Sequence, residues 1–284
     1  MLFRSLALFS SLLWGTADYL AGNLSKKFQS LAVTGVSQFF GLLFGVSALI
    51  VTSLFGKDLI APNFHFDGYF LPGVVAGISG FIGLLAFYTG LATGRMGVVS
   101  PIAALAAVIP LSVAFIGGER PNTFQTIGLS VALIGAFLAS GPEIKGGLPI
   151  KPLVYAIIAA LGFGGALTFI AIGAKVDALH TMTTMRFASV SICVLIAVRA
   201  KSLGGFSRLE LPTLIFVGIA DFLANFLLGV ATTKGLVSIA MVLGSLFPIV
   251  TSILAFRFLG ERLHRVQYFG IAFAVFGVAL ISAN

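Results

Sequence analysis

Of 284 residues, 58% are apolar and only 9% carry charge, and the mean hydropathy is +1.11. A soluble domain carries about 25% charged residues, so this composition excludes a water-soluble globule and makes lipid the solvent for most of the surface. The formal net charge of +8 rests on basic residues set singly or in pairs between apolar stretches, as membrane-flanking anchors are; nucleic-acid binding needs a clustered basic face and is excluded too.

Spanning the hydrocarbon layer takes about 20 mostly apolar residues. The first such stretch is 3–22, interrupted by Asp18. Arg4 followed by an apolar run also fits a signal peptide. The run continues past Asp18 to Leu24 with no small-x-small cleavage site, so a retained first helix is expected. Charge-free spans follow at 28–56, 68–94, 96–118 and 121–142. Beyond the polar segment 143–151, spans come at 152–174, 181–199 around Arg186, 211–233 around Asp221, 235–256 and 266–284. That makes ten. The runs are continuous rather than alternating, which selects helices over barrel strands. Gly41 with Gly45, and Gly73 with Gly77, are small-xxx-small pairs that let helices approach closely in lipid.

The two halves of the chain resemble one another. Gly97, Val99, Ser100, Leu105 and Pro110 recur 138 residues later as Gly235, Val237, Ser238, Leu243 and Pro248. Gly118-Glu119-Arg120, Gln125, Gly128, Ala132, Gly135 and Ser140 recur 142 residues later, from Gly260-Glu261-Arg262 and Gln267 to Ser282. A weaker match sets Gly15 and Lys26 against Gly164 and Lys175. Each half holds five spans, an odd number, so the second half is threaded in the opposite sense. Inverted repeats of this kind are the architecture of alternating access, with cargo bound near the midplane where the halves meet.

With the prolines Pro110 and Pro248, the Gly-Glu-Arg turns ending at Arg120 and Arg262, and Trp14-Gly15 in the first span, the chain resembles the EamA-type branch of the drug/metabolite transporter superfamily over essentially its whole length. The resemblance implies an all-α membrane protein of ten helices, with two inverted five-helix halves (1–142 and 151–284) around a central cavity. It also implies export or exchange of small metabolites, such as amino acids or related compounds. Two places depart from a perfect repeat. The segment after Pro110 is four residues shorter than its counterpart, and Phe163-Gly164 stands where Trp14-Gly15 would recur.

A charge inside the bilayer costs at least about 2.5–3.5 kcal/mol, which singles out Asp18, Arg186 and Asp221. Asn225 lies one helical turn beyond Asp221 on the same face. Cargo binding or proton coupling is one role for the acids; an ion pair between Asp221 and Arg186 is the structural alternative. Arg186 itself is expected to snorkel to the interface. Trp14, Gln38, Tyr88, Ser100 and Ser238 complete the expected cargo-binding wall, with Tyr19 as a further amphipathic candidate. Pro110 and Pro248 are expected mid-helix hinges, because an interior proline deletes one backbone hydrogen bond. Glu119 and Glu261 are expected to cap the helices that follow them.

His65, His180 and His264 fall in expected loops without metalloprotease spacing, and no phosphate loop is present, so no catalytic residue, metal or cofactor is expected. Cys193 stands alone and precludes an internal disulfide. The expected protein is a secondary transporter of small organic molecules in a cell membrane of bacterial or archaeal type. The alternative is a passive channel or a non-transporting interaction protein. The oligomeric state is left open, a monomer being plausible.

Overall fold

The computed structural model describes residues 2–93, 99, 102–139, 150–200, 205–259 and 264–282. Ser100 and the Glu261-Arg262 turn lie outside the described residues. Helices run in chain order as α1 (Leu2–Ser25), α2 (Ser30–Leu54) and α3 (Phe70–Thr93), then a 3-10 turn (Leu105–Ala107) leading into α4 (Val108–Ile116). They continue as α5 (Thr123–Ala139), α6 (Ile150–Ala200), α7 (Leu211–Lys234), α8 (Val237–Gly244), α9 (Phe247–Leu259) and α10 (Arg265–Ser282). Among the described residues, five helical runs are long and apolar enough to cross a bilayer, and shorter apolar helices accompany them. The chain is a multi-pass membrane protein.

At 51 residues, α6 would reach about 77 Å if straight, against a hydrocarbon core of about 30 Å. It does not run straight. Asp177 has extended backbone angles (φ −159°, ψ 121°), and the chain folds back there. A Cβ built on Gly173 would lie 2.6 Å from Thr181 Cγ2, a contact that a continuous helix forbids for residues eight apart. His180 therefore sits in the first turn of a helical segment rather than in a loop as the sequence suggested.

Glycine lets these helices touch backbone to backbone, the contact that substitutes for the hydrophobic drive in lipid. Gly77 of α3 faces the Met185 carbonyl and Ala188 beyond the bend of α6; Gly218 of α7 faces the Ser37 carbonyl and Gly41 of α2. Counting from the helix starts, Gly77 and Gly218 hold the same place in α3 and α7. The outer surface is apolar: Phe269, Phe273 and Phe276 stand exposed along one face of α10.

The recurring glutamines are explained locally. Asn122 Oδ1 accepts the Gln125 N–H at 2.8 Å while Gln125 Oε1 accepts the Asn122 N–H at 3.1 Å, a reciprocal cap that starts α5. At α10, Gln267 Oε1 accepts the His264 N–H at 2.9 Å. Glu119 does not cap α5, contrary to the sequence expectation. Its carboxylate reaches across to the other half and accepts the N–H groups of Val237 (2.7 Å) and Ser238 (3.0 Å), capping α8. The unfilled donors of a helix N-terminus favour such an anion.

Pro110 and Pro248 also occupy different places from those expected. Neither interrupts an intact helix. Pro110 is the third residue of α4, just after the 3-10 turn, and Pro248 is the second of α9, just after the turn at 245–246. In a first turn the missing N–H costs nothing; what each proline does is leave the carbonyl four residues back, at Ala106 or Gly244, without its helical donor.

Candidate functional site

The two breaks meet the opposite half at equivalent glycines. A Cβ on Gly15 of α1 would lie 2.6 Å from the Phe247 carbonyl, and one on Gly164 of α6 would lie 2.9 Å from the Ala106 carbonyl. Each half thus lays its first helix against the broken helix of the other. Between them lies a pocket lined from both halves.

Four helices converge on one carboxylate in this pocket. Asp221, near the middle of α7, accepts the Trp14 indole N–H on Oδ1 at 2.9 Å and the Gln38 amide N–H on Oδ2 at 2.9 Å. Asn225 donates to the same Oδ1 at 3.1 Å and to the Asp221 carbonyl at 2.7 Å. Arg186 Nη2 stands 2.9 Å from Oδ2, while its Nη1 donates to Gln38 Oε1 at 2.7 Å. Ser189, absent from the sequence candidates, also donates to Gln38 Oε1, at 3.1 Å. Helices α1, α2, α6 and α7 are thereby tied to one point. Arg186 does not snorkel: it is 2% exposed, because Asp221 supplies a counter-charge inside the bundle. Its Nε has no acceptor among the described residues.

Asp18 lines the same pocket and is 8% exposed. It interacts with the Tyr88 hydroxyl and lies within electrostatic range of Asp221. No cation pairs with it among the described residues.

Of the expected wall, Trp14, Asp18, Gln38, Asp221 and Asn225 are brought together on the pocket surface. Tyr88, 1% exposed, stands behind Asp18 rather than on the lining. Ser238 is placed elsewhere: its backbone N–H is spent on Glu119, and its buried hydroxyl has no partner among the described residues. Tyr19 packs on Phe258 at a ring separation of 6.4 Å, away from the lining.

The lining follows the repeat in position but not in chemistry. Equivalent positions on the pocket wall are Trp14 and Phe163, Asp18 and Leu167, Gly80 and Asp221, Leu84 and Asn225, and Ala107 and Ser245. In most of these pairs one member is polar and the other apolar. The polar members lie on α1, α7 and the turn at 245–246, joined on the lining by Gln38 of α2 and Arg186 of the second part of α6; the apolar ones lie on α3, the first part of α6 and the 3-10 turn. The pocket therefore has one hydrogen-bonding wall and one greasy wall. Sequence reasoning named the polar wall but passed over the apolar one, since Leu84, Phe163 and Leu167 look like any other membrane side chains.

The model of the EamA-like transporter family matches this chain twice, over residues 3–141 and 150–283. An uncharacterized protein of Methanocaldococcus jannaschii is 25% identical over 132 residues, which are 46% of this chain and 96% of that protein. That relative is thus about the size of one half. A crystal structure at 17% identity superposes with a TM-score of 0.78, covering 99% of this chain and 96% of the other; this likeness speaks to the fold alone.

Proposed function

The chain belongs to the EamA-like transporter family, consistent with the drug/metabolite transporter superfamily, and from that membership we propose that it is a secondary transporter of small organic metabolites in the cell membrane. Amino acids and related compounds are the cargo of first choice. Ten crossings, counting the two parts of α6 separately and α8 with α9 as one, form two inverted halves at 1–142 and 151–284. Alternating access rocks one half against the other around the pocket.

The observation that carries this reading is the pocket itself. It is enclosed by equivalent positions from both halves, and it holds ionisable side chains at bilayer depth, where they persist only for a reason. The breaks before Pro110 and Pro248 border it and give each half a place to bend. The Glu119 cap on α8 joins the halves at one membrane face, as a gate closed on that side would.

Counterflow in proteoliposomes tests the proposal. The purified chain, preloaded in turn with amino acids, sugars, nucleosides and organic cations, is expected to show saturable uptake driven by the matching internal solute. Linear, non-saturable flux would instead assign a channel, and no flux for any class would leave an interaction role.

A further inference from the structure

We propose that the cargo is an amphipathic organic monocation, with its ammonium on Asp18 and its apolar body on the wall formed by α3 and the first part of α6. This inference rests on the transporter reading above and, within its small organic metabolites, moves the first choice from zwitterionic amino acids to related amines.

Charge matching comes first. Among the described residues, the pocket wall carries two carboxyl side chains and one guanidinium, from Asp18, Asp221 and Arg186. The guanidinium is taken: Arg186 stands against Asp221 at 2.9 Å, and Trp14, Gln38 and Asn225 complete the coordination of that carboxylate. Among the described residues Asp18 has only the Tyr88 hydroxyl, which brings a proton donor but no charge. A carboxylate held in the bundle without a counter-ion is strongly unfavourable, and a bound ammonium supplies what the protein omits. The unfilled Arg186 Nε is a hydrogen-bond donor whose charge is already matched. It therefore does not call for an anion.

Shape and polarity supply the second half. Leu84, Phe163, Leu167 and Ala107 also line the pocket and offer no side-chain donor or acceptor. A polar group placed there would go unsatisfied at a cost of about 1–3 kcal/mol, whereas an aryl or alkyl body gains by burial. Because Leu167 is the counterpart of Asp18 in the other half, the ammonium has one seat and the cargo one orientation. An isolated inorganic cation would leave the apolar wall bare.

The protein carries its own reporter, since Trp14 is the single tryptophan and sits on the pocket wall. Trp14 emission of the purified full chain in detergent is titrated with 2-phenylethylamine, 2-phenylethanol, 3-phenylpropionate and phenylalanine. The amine is expected to bind saturably and at least about tenfold more tightly than each of the others. Asp18→Asn is expected to erase the preference for amine over alcohol, and Asp18→Glu to retain it. The comparison among ligands on the unaltered protein stands even if a variant fails to fold. Equal binding of alcohol and amine, which would mean that a proton neutralises Asp18, overturns the proposal. So does tighter binding of the acid or the zwitterion, a preference that survives Asp18→Asn, or no response to any of the four. Counterflow of some other solute alongside these failures would keep the transporter reading and discard only the cargo class. Tight amine binding without counterflow of any solute would do the reverse.

Discussion

Asp221 and Arg186 face each other at 2.9 Å between Oδ2 and Nη2, with only 2% of the arginine exposed. Removing one partner of such a pair strands a buried charge, at a cost of about 3–5 kcal/mol. Asp221→Ala and Arg186→Ala are each expected to lower the melting temperature in detergent and the amount of protein recovered from membranes. Replacing both, as Asp221→Leu with Arg186→Met, is expected to recover part of the loss, because no charge is orphaned although Trp14, Gln38 and Asn225 still lose an acceptor. Trp14→Phe, which removes one hydrogen bond, is expected to cost about 0.6 kcal/mol, the usual worth of such bonds in membrane bundles. A double variant no better than the sum of the singles would assign the pair no structural coupling.

Glu119 holds two N–H groups of α8 from the opposite half. Losing a cap costs about 1 kcal/mol, up to about 2, so Glu119→Ala is expected to destabilise by that much. Glu119→Gln keeps one acceptor and loses the charge, and its effect is expected to fall between the two. Because the cap joins the halves, Glu119→Ala is also expected to raise access of a thiol reagent to a cysteine introduced at Ser238. The single native cysteine, Cys193, is buried and is replaced by alanine in that background. Unchanged labelling would separate the cap from any gating role.

What was readable beforehand followed from strong local signals. Long charge-free runs showed the helices because the bilayer demands continuous apolar length. Gly, Pro and Gln recurring in register showed the repeat, and Gln125 and Gln267 proved to hold the same capping position. Partners far apart in sequence were not readable: nothing near Glu119 announces Val237, so its cap was assigned to the nearest helix. Arg186 lies close enough to a span end to suggest snorkelling, and only the fold puts Asp221 and Gln38 beside it. The prolines were visible, but the helix breaks before them were masked by uninterrupted hydrophobic sequence.

Those breaks make a mechanical prediction. Pro110→Ala and Pro248→Ala each restore an N–H that can bond the carbonyl of Ala106 or Gly244 and fuse two short helical segments into one. Stability is expected to hold or rise slightly, since alanine is the better helix former. Counterflow is expected to fall several-fold at unchanged protein levels, because the bend beside the pocket is lost. Equal rates for wild type and both variants would make these bends static features of packing.

Asp177 and His180 close the bend of α6 onto the connection between α2 and α3. The Asp177 carboxylate accepts Lys57 Nζ at 2.6 Å and the His180 N–H at 2.9 Å, and it meets His180 Nδ1 at 2.9 Å. His180 Nε2 in turn accepts the Ile60 N–H at 3.2 Å, while Tyr69 packs on the ring and donates to the Ile60 carbonyl at 2.9 Å. With Nε2 accepting from Ile60, Nδ1 is the ring nitrogen placed to donate to Asp177. Amide exchange at Ile60 is therefore expected to accelerate at least tenfold in His180→Phe, which keeps the ring packing but removes the acceptor. The melting temperature is expected to stay nearly constant in that variant, because the connection is exposed and holds little of the core. Exchange at Ile60 that ignores His180→Phe would show that the histidine does not hold this connection in place.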